Sequence, residues 1–167
     1  LYGMGARALA QGMGVSFEEA QGYLAEYLKE FPGIEEYRER ITAFGRAKGY
    51  VETVFGRRRY LPNLKSRFDY VRAEADRMAM NAPIQGTEAD LIKRAMVRIW
   101  EELSLKESKN IRMLLQVHDE LLFEIKEDCL SDIVPKIRHI MEDVPELSVP
   151  IVVDAKHGTN WQEMKML

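Results

Sequence analysis

An α+β fold is predicted, with antiparallel β-hairpins packed on helices. Helical apolar spacing covers most of the chain, at 4–48, 67–104 and 128–143. Two pairs of short β-rich runs each flank a turn signal. Strands and helices do not alternate in the βαβ manner of a parallel sheet, which leaves α+β as the class that fits.

The elements follow in order. Residues 4–12 have helical composition and stop near Gly12 and Gly14. Ser16 followed by Glu19 has the spacing of a capping box, so a helix should open there and run to about Glu30. Ala20, Tyr23, Leu24 and Tyr27 fall on one face of it. Phe31-Pro32-Gly33 breaks it, and a further helix is expected from Ile34 to about Lys48, closed by Gly49. Tyr50–Val54 and Arg58–Leu61 predict a hairpin with Gly56 in its turn, ended by Pro62. Residues 67–82 and 86–104 are helical in composition, with Pro83 expected to kink or divide them. Met113–Val117 and Leu121–Ile125 predict a buried hairpin with His118-Asp119-Glu120 at its tip. A last helix over 128–143 and a strand over Val149–Lys156 complete the chain, and the 113–125 hairpin should be backed by the 86–104 and 128–143 helices.

With 167 residues, one structural unit with a sizeable core is expected. No apolar run is long enough for a membrane helix. The single cysteine, Cys129, excludes an internal disulfide framework and a cysteine-based zinc cage, which suits a reducing compartment. The net charge of −3 is unlike that of a bulk nucleic-acid binder, but charge is unevenly spread. From Arg57 to Arg77 there are seven Lys/Arg against three Asp/Glu; from Ser16 to Arg40 there are seven Glu against three Lys/Arg. The middle of the chain can therefore meet a polyanion where the acidic flank cannot. The opening LYGMGARALAQ starts inside an apolar stretch, as the trailing end of a helix would, so the chain is expected to be part of a longer product.

Four groups of residues carry chemical possibilities. Asp119 and Glu120 are adjacent carboxylates between apolar β-formers, and rigidly held carboxylates suit a hard cation. Spacing alone reads equally as solvated turn residues. His118 and Asp119 do not make a natural hydrolase relay, because strand neighbours point to opposite faces. Arg77, Asn81 and Gln85 fall at i, i+4 and i+8. If the helix survives Pro83, they form a row of donors that could test duplex shape through minor-groove acceptors, or simply a solvated polar face. Arg57-Arg58-Arg59-Tyr60 reads either as a phosphate contact or as an exposed charged turn. Tyr2-Gly3 could offer a ring for base stacking, although a core tyrosine is the commoner reason for such a residue.

Taken together, these segments resemble DNA polymerases of family A. Gln116-Val117-His118-Asp119-Glu120 is similar to that family's motif C, and Leu1-Tyr2-Gly3-Met4 to the tail of its motif B. Gly49–Tyr60 resembles the fingers hairpin, and Arg77–Thr87 the long template-contacting helix. The order and spacing agree over essentially the whole chain. The resemblance implies partial fingers and palm of a right-hand polymerase, with 1–105 fingers-derived and 106–167 carrying the partial palm and the motif C hairpin.

It also implies roles. Asp119 would be a ligand of two catalytic Mg²⁺ ions, with Glu120 as a supporting catalytic carboxylate. His118 would contact the primer end, and Arg77, Asn81 and Gln85 would hold template and primer. Arg59 would touch the template backbone, and Tyr2 would stack beside the new base pair. The implied partners are primer-template DNA, deoxynucleoside triphosphates and the upstream part of the polymerase, with no membrane partner and a cytoplasmic or nucleoid location. The family's motif A, with the second carboxylate ligand of the metals, has no match in this chain, so the chain alone is expected to be inactive. Two rival readings remain. One is a non-catalytic DNA-binding module or one chain of a split polymerase. The other is an unrelated helical interaction protein whose His-Asp-Glu turn is accidental.

Overall fold

The computed structural model describes residues 4–167. It divides into two compact units, Leu1–Thr87 and Glu88–Leu167.

The first unit opens with α1 (Ala6–Met13), which ends where Gly14 takes φ 69°, a left-handed value that costs glycine no Cβ clash. The capping box that starts α2 (Phe17–Glu30) is complete. Ser16 Oγ accepts from the Glu19 N–H at 3.2 Å, and the Glu19 carboxylate accepts from the Ser16 N–H at 3.0 Å. Of the expected α2 face only Ala20 is buried; Leu24 and Tyr27 are half-buried and Tyr23 is exposed. Helix α3 (Pro32–Lys48) begins two residues earlier than Ile34, because a first-turn proline has no needed N–H to lose. Strands β1 (Tyr50–Glu52) and β2 (Arg58–Tyr60) pair antiparallel, Val51 opposite Arg59, and are shorter than the sequence suggested. Gly56, at φ 80°, turns the chain between them.

Helix α4 (Asp69–Ile99) runs unbroken through Pro83, so the expected division there does not occur. The proline removes one hydrogen bond from a long helix, and packing offsets that loss. Ala75, Ala79 and Ala82 join Val51, Leu61 and Leu64 in the first core, with Ile41 against it. The β1–β2 turn is tied to α4 by polar bonds as well. The Val54 N–H donates to Thr87 Oγ1 at 3.1 Å, and Arg57 donates to the Gly86 carbonyl at 2.8 Å. Thr87 Oγ1 in turn donates to the Pro83 carbonyl at 2.6 Å. This approach requires a glycine: a Cβ on Gly86 would sit 2.6 Å from Thr53 Cγ2.

In the second unit, the end of α4 passes through a π turn at Trp100–Ser104 into β3 (Ile111–Val117) and β4 (Glu120–Ile125), followed by α5 (Leu130–Glu142). Ile99, Leu103, Ile111, Ile133, Ile137 and Ile140 form its core, with Met113, Leu121, Phe123 and Ile125 packed against it. The hairpin is thus backed by the end of α4 and by α5, as expected. Only one face is covered, however. Leu114 and Leu115 are 50% and 51% exposed, so the hairpin is half-buried where full burial was expected. The cause is a bulge: Met113 pairs with Phe123 but Leu115 pairs with Leu122, which shifts the side-chain alternation by one residue.

The expected strand over Val149–Lys156 is also corrected. Residues 149–155 carry no strand pairing, and the short β5 (Lys156–His157) pairs with β6 (Lys165–Met166). A strand needs a partner for its backbone, and β propensity does not supply one. Here the Val153 N–H is satisfied by the Glu142 carboxylate at 2.9 Å, while Val152 is 79% exposed.

Two outcomes follow from this packing. Gly86→Ala should lower the unfolding free energy by about 1–3 kcal/mol, the usual cost of overpacking, measured by urea titration. Glu19's pKa is lowered by the Ser16 hydroxyl and then by the Ser16 N–H, so folding favours its ionised form. Its stabilisation is complete above the ordinary glutamate pKa and lost as pH falls through the depressed folded value. Glu19→Gln should therefore flatten the acid limb of a stability-against-pH curve.

Candidate functional site

The pairing of Val117 with Glu120 leaves His118-Asp119 as a two-residue loop. Two-residue hairpin loops match the twist of their strands when the first central residue has positive φ, a place usually filled by glycine, asparagine or aspartate. His118 takes it at φ 52°, the one positive-φ residue other than glycine among the described residues. The left-handed conformation costs a Cβ-bearing residue roughly 1–2 kcal/mol. Gln116 Nε2 braces the turn by donating to the His118 carbonyl at 2.6 Å. Asp119 is exposed at the tip. Glu120 was placed in the turn beside Asp119 by the sequence; instead it belongs to β4, because the loop closes with two residues. The two carboxylates therefore sit on different elements.

Among the described residues no three His, Cys, Asp or Glu side chains come together as a metal site. Asp119 fits such a site as one oxygen donor. Mg²⁺ is commonly held by one or two carboxylates, completed by water and substrate phosphates, so a single aspartate is compatible with its chemistry.

The first unit carries the donor row. Because α4 continues through Pro83, Arg77, Asn81 and Gln85 do share one face, each about 40° on from the last. Arg77 and Gln85 are exposed and Asn81 is half-buried, and the core residues Ala75 and Ala79 lie about 160° from Arg77 around the helix. The three consecutive arginines separate into different roles. Arg57 is bonded to the Gly86 carbonyl. Arg58 donates to Glu52 at 2.7 Å and lies 4.6 Å from the Tyr50 ring centroid, and the Glu52 bond raises its pKa further. Arg59 is exposed and makes no ion pair among the described residues.

The same sorting applies to other cations. Arg46 pairs with Asp76, Arg72 with Asp69, Arg94 with Glu146, and Arg98 with Glu102 and Asp143. Arg59, Lys65, Arg67 and Arg77 make no ion pair among the described residues, so four cations within 59–77 carry no protein counter-charge there. Tyr2 lies outside the described residues. No helix among the described residues is long and apolar enough to cross a membrane. Sequence reasoning passed over Phe68 and Tyr70, exposed aromatics set among these cations; basic residues interleaved with aromatics were the available signal.

Comparison with known proteins gives the class of this fold: residues 1–163 match DNA polymerase family A, and the chain belongs to that family. It is 44% identical over 165 residues to the thermostable DNA polymerase I of Thermus filiformis, covering 99% of this chain and 19% of that protein. To DNA polymerase I of Pseudomonas aeruginosa it is 45% identical over 163 residues, covering 98% of this chain and 18% of that one. The chain thus spans about a fifth of the length of these curated relatives. Among solved structures, the POL domain of Pol1 from M. smegmatis, in complex with DNA primer-template and dNTP, superposes with a TM-score of 0.82 at 43% identity, over 89% of this chain and 26% of that one. The α+β architecture expected from the sequence is the architecture found.

His118→Gly should leave the chain as stable or raise its unfolding free energy by up to about 1 kcal/mol, by relieving the left-handed turn. An unfolding free energy from urea titration that falls by more than that amount would show the imidazole to be structurally required.

Proposed function

We propose that this chain is part of a DNA-directed DNA polymerase that adds deoxynucleotides to a primer 3′-OH under template direction. The observation that carries the proposal is Asp119 at the tip of a strained two-residue turn, in a chain that matches the polymerase family along nearly its whole length. In the reaction a bond forms between the primer 3′ oxygen and the α-phosphorus. The bond to the leaving pyrophosphate breaks, and the hydroxyl proton passes to solvent. Two Mg²⁺ ions, when bound, stabilise the charge on the attacking and leaving oxygens.

The chain's own contribution is positional. Asp119 supplies one carboxylate from a turn whose backbone is braced by Gln116, and Glu120 supports it from β4. His118 faces the primer terminus. Arg77, Asn81 and Gln85 grip template and primer through acceptors common to every base pair, and Arg59 holds a backbone phosphate. Residues 1–105 belong to the fingers and the template helix, and 106–167 to the palm. The second carboxylate comes from outside this chain, so the chain alone does not polymerise. Its working location is with DNA in the cytoplasm.

Primer extension in Mg²⁺, with the chain alone and with a purified upstream portion of a family A polymerase, tests this reading. Extension should appear only in the mixture. Asp119→Ala should lower it roughly a thousandfold, the equivalent of several kcal/mol of lost charge stabilisation, and Glu120→Gln by about tenfold or less. Extension by the chain alone would show that the second carboxylate is present after all. No extension in the mixture, with salt-sensitive duplex binding, would favour a non-catalytic DNA-binding module.

A further inference from the structure

Phe68 and Tyr70 are the most conspicuous groups that the proposed site leaves unused. They are 65% and 75% exposed, and their ring centroids lie 6.0 Å apart with planes inclined at 39°. They flank the first residue of α4, in a segment held by its own polar bonds. The Phe68 N–H donates to Ser66 Oγ at 3.2 Å, and Arg72 donates to the Ser66 carbonyl at 3.1 Å and to Asp69 at 2.5 Å. That last bond matters for charge, since it neutralises the acid between the two rings. Arg67, next to Phe68, is exposed and makes no ion pair among the described residues.

Tyr70 also stands in register with the donor row. At 100° per residue it lies within about 20° of Arg77 and of Asn81 around the α4 axis, and about 10 Å from Arg77 along it. The core residues Ala75, Ala79 and Ala82 lie about 120–180° from Tyr70 around the helix. One exposed stripe thus runs from an aromatic platform to the three polar donors. Between Tyr70 and Arg77 the stripe carries Glu74, exposed and acidic, which disfavours a phosphate at that point and leaves the ring free for a base.

We infer that Phe68 and Tyr70 form a stacking platform for unpaired template bases, ahead of the duplex held by Arg77, Asn81 and Gln85. The proposal rests on the polymerase reading above. Duplex DNA keeps its bases stacked on one another, whereas single-stranded bases expose faces that aromatic rings can cover without regard to sequence. A base between two rings needs roughly twice the 3.4 Å step of stacked DNA, more than the centroid spacing here offers, so bases stack on the outer ring faces. Surrounding charge selects the occupant: over Arg57–Arg77 there are seven Lys/Arg against three Asp/Glu, of which Asp69 and Asp76 are already paired with arginines.

Fluorescence anisotropy of the 167-residue chain tests the inference, with labelled primer-template bearing a ten-nucleotide 5′ template overhang and a blunt duplex of the same paired sequence. The Phe68→Leu/Tyr70→Leu double variant keeps apolar bulk and every charge but removes the π faces. It should bind the overhang DNA about tenfold more weakly or worse, and the blunt duplex within about twofold of the unsubstituted chain. Phe68→Leu/Tyr70→Trp should recover most of the lost affinity, which a purely structural role for the rings would not produce. Equal weakening on both DNAs, no weakening on the overhang, or a Trp variant no better than the Leu variant each overturns the platform and leaves the polymerase reading standing. If the unsubstituted chain binds neither DNA, both fall. A concentration-dependent dimer lost in the Leu variant, with overhang binding unchanged, would assign the rings to self-association and overturn the inference.

Discussion

The two-sidedness of α4 is the constraint on which the rest depends. One side is built from Ala75, Ala79 and Ala82, side chains short enough to bring the helix close to Val51, Leu61 and Leu64. Larger residues there would lift it off the β1–β2 hairpin. The outer side carries Tyr70, Arg77 and Gln85, all exposed, with Asn81 half-buried between Arg77 and Gln85. A helix interior cannot accept proline without losing a bond, yet α4 continues through Pro83 because packing outweighs the loss. Had it broken there, Gln85 would have left the row.

The same helix fixes the basic hairpin. Thr87 and Gly86 receive the β1–β2 turn, and Arg57 is consumed in that junction. Arg58 is consumed by Glu52 and Tyr50. A run that reads as three equivalent cations becomes two structural arginines and one, Arg59, without a counter-charge among the described residues. The sorting matters for function, because exposed ion pairs add little stability but do decide which cations remain for phosphate.

In the second unit the organising feature is a compromise at a hairpin. The bulge after Met113 re-phases β3, so that Leu121, Phe123 and Ile125 cover the core while Leu114 and Leu115 face outward. The tip then closes in two residues, with His118 in a conformation that its Cβ disfavours. Strain of this kind persists where the surroundings over-determine it, and it gathers at working positions. Leu114 and Leu115 on the outer hairpin face, and Val149 and Val152 in the unpaired stretch 149–155, leave apolar side chains exposed.

Local chemistry was legible from residues alone. The Ser16–Glu19 box, the helix-ending glycines 14 and 49 and the Gly56 turn all follow from interactions within a few residues, and all appear in the structure. The family, too, was readable, because several motifs stand in order along one chain. What the sequence could not give were outcomes set by partners distant in the chain: whether α4 survives Pro83, which of three arginines stays unpaired, where β3 bulges, and that Val149–Ala155 finds no strand to pair with. By itself the sequence determined the kinds of elements and the chemical groups they carry, since those depend on backbone propensity and side-chain type. Only the tertiary structure decided which groups are spent on packing and which are left to face a ligand, since that depends on what each side chain meets once the chain has folded.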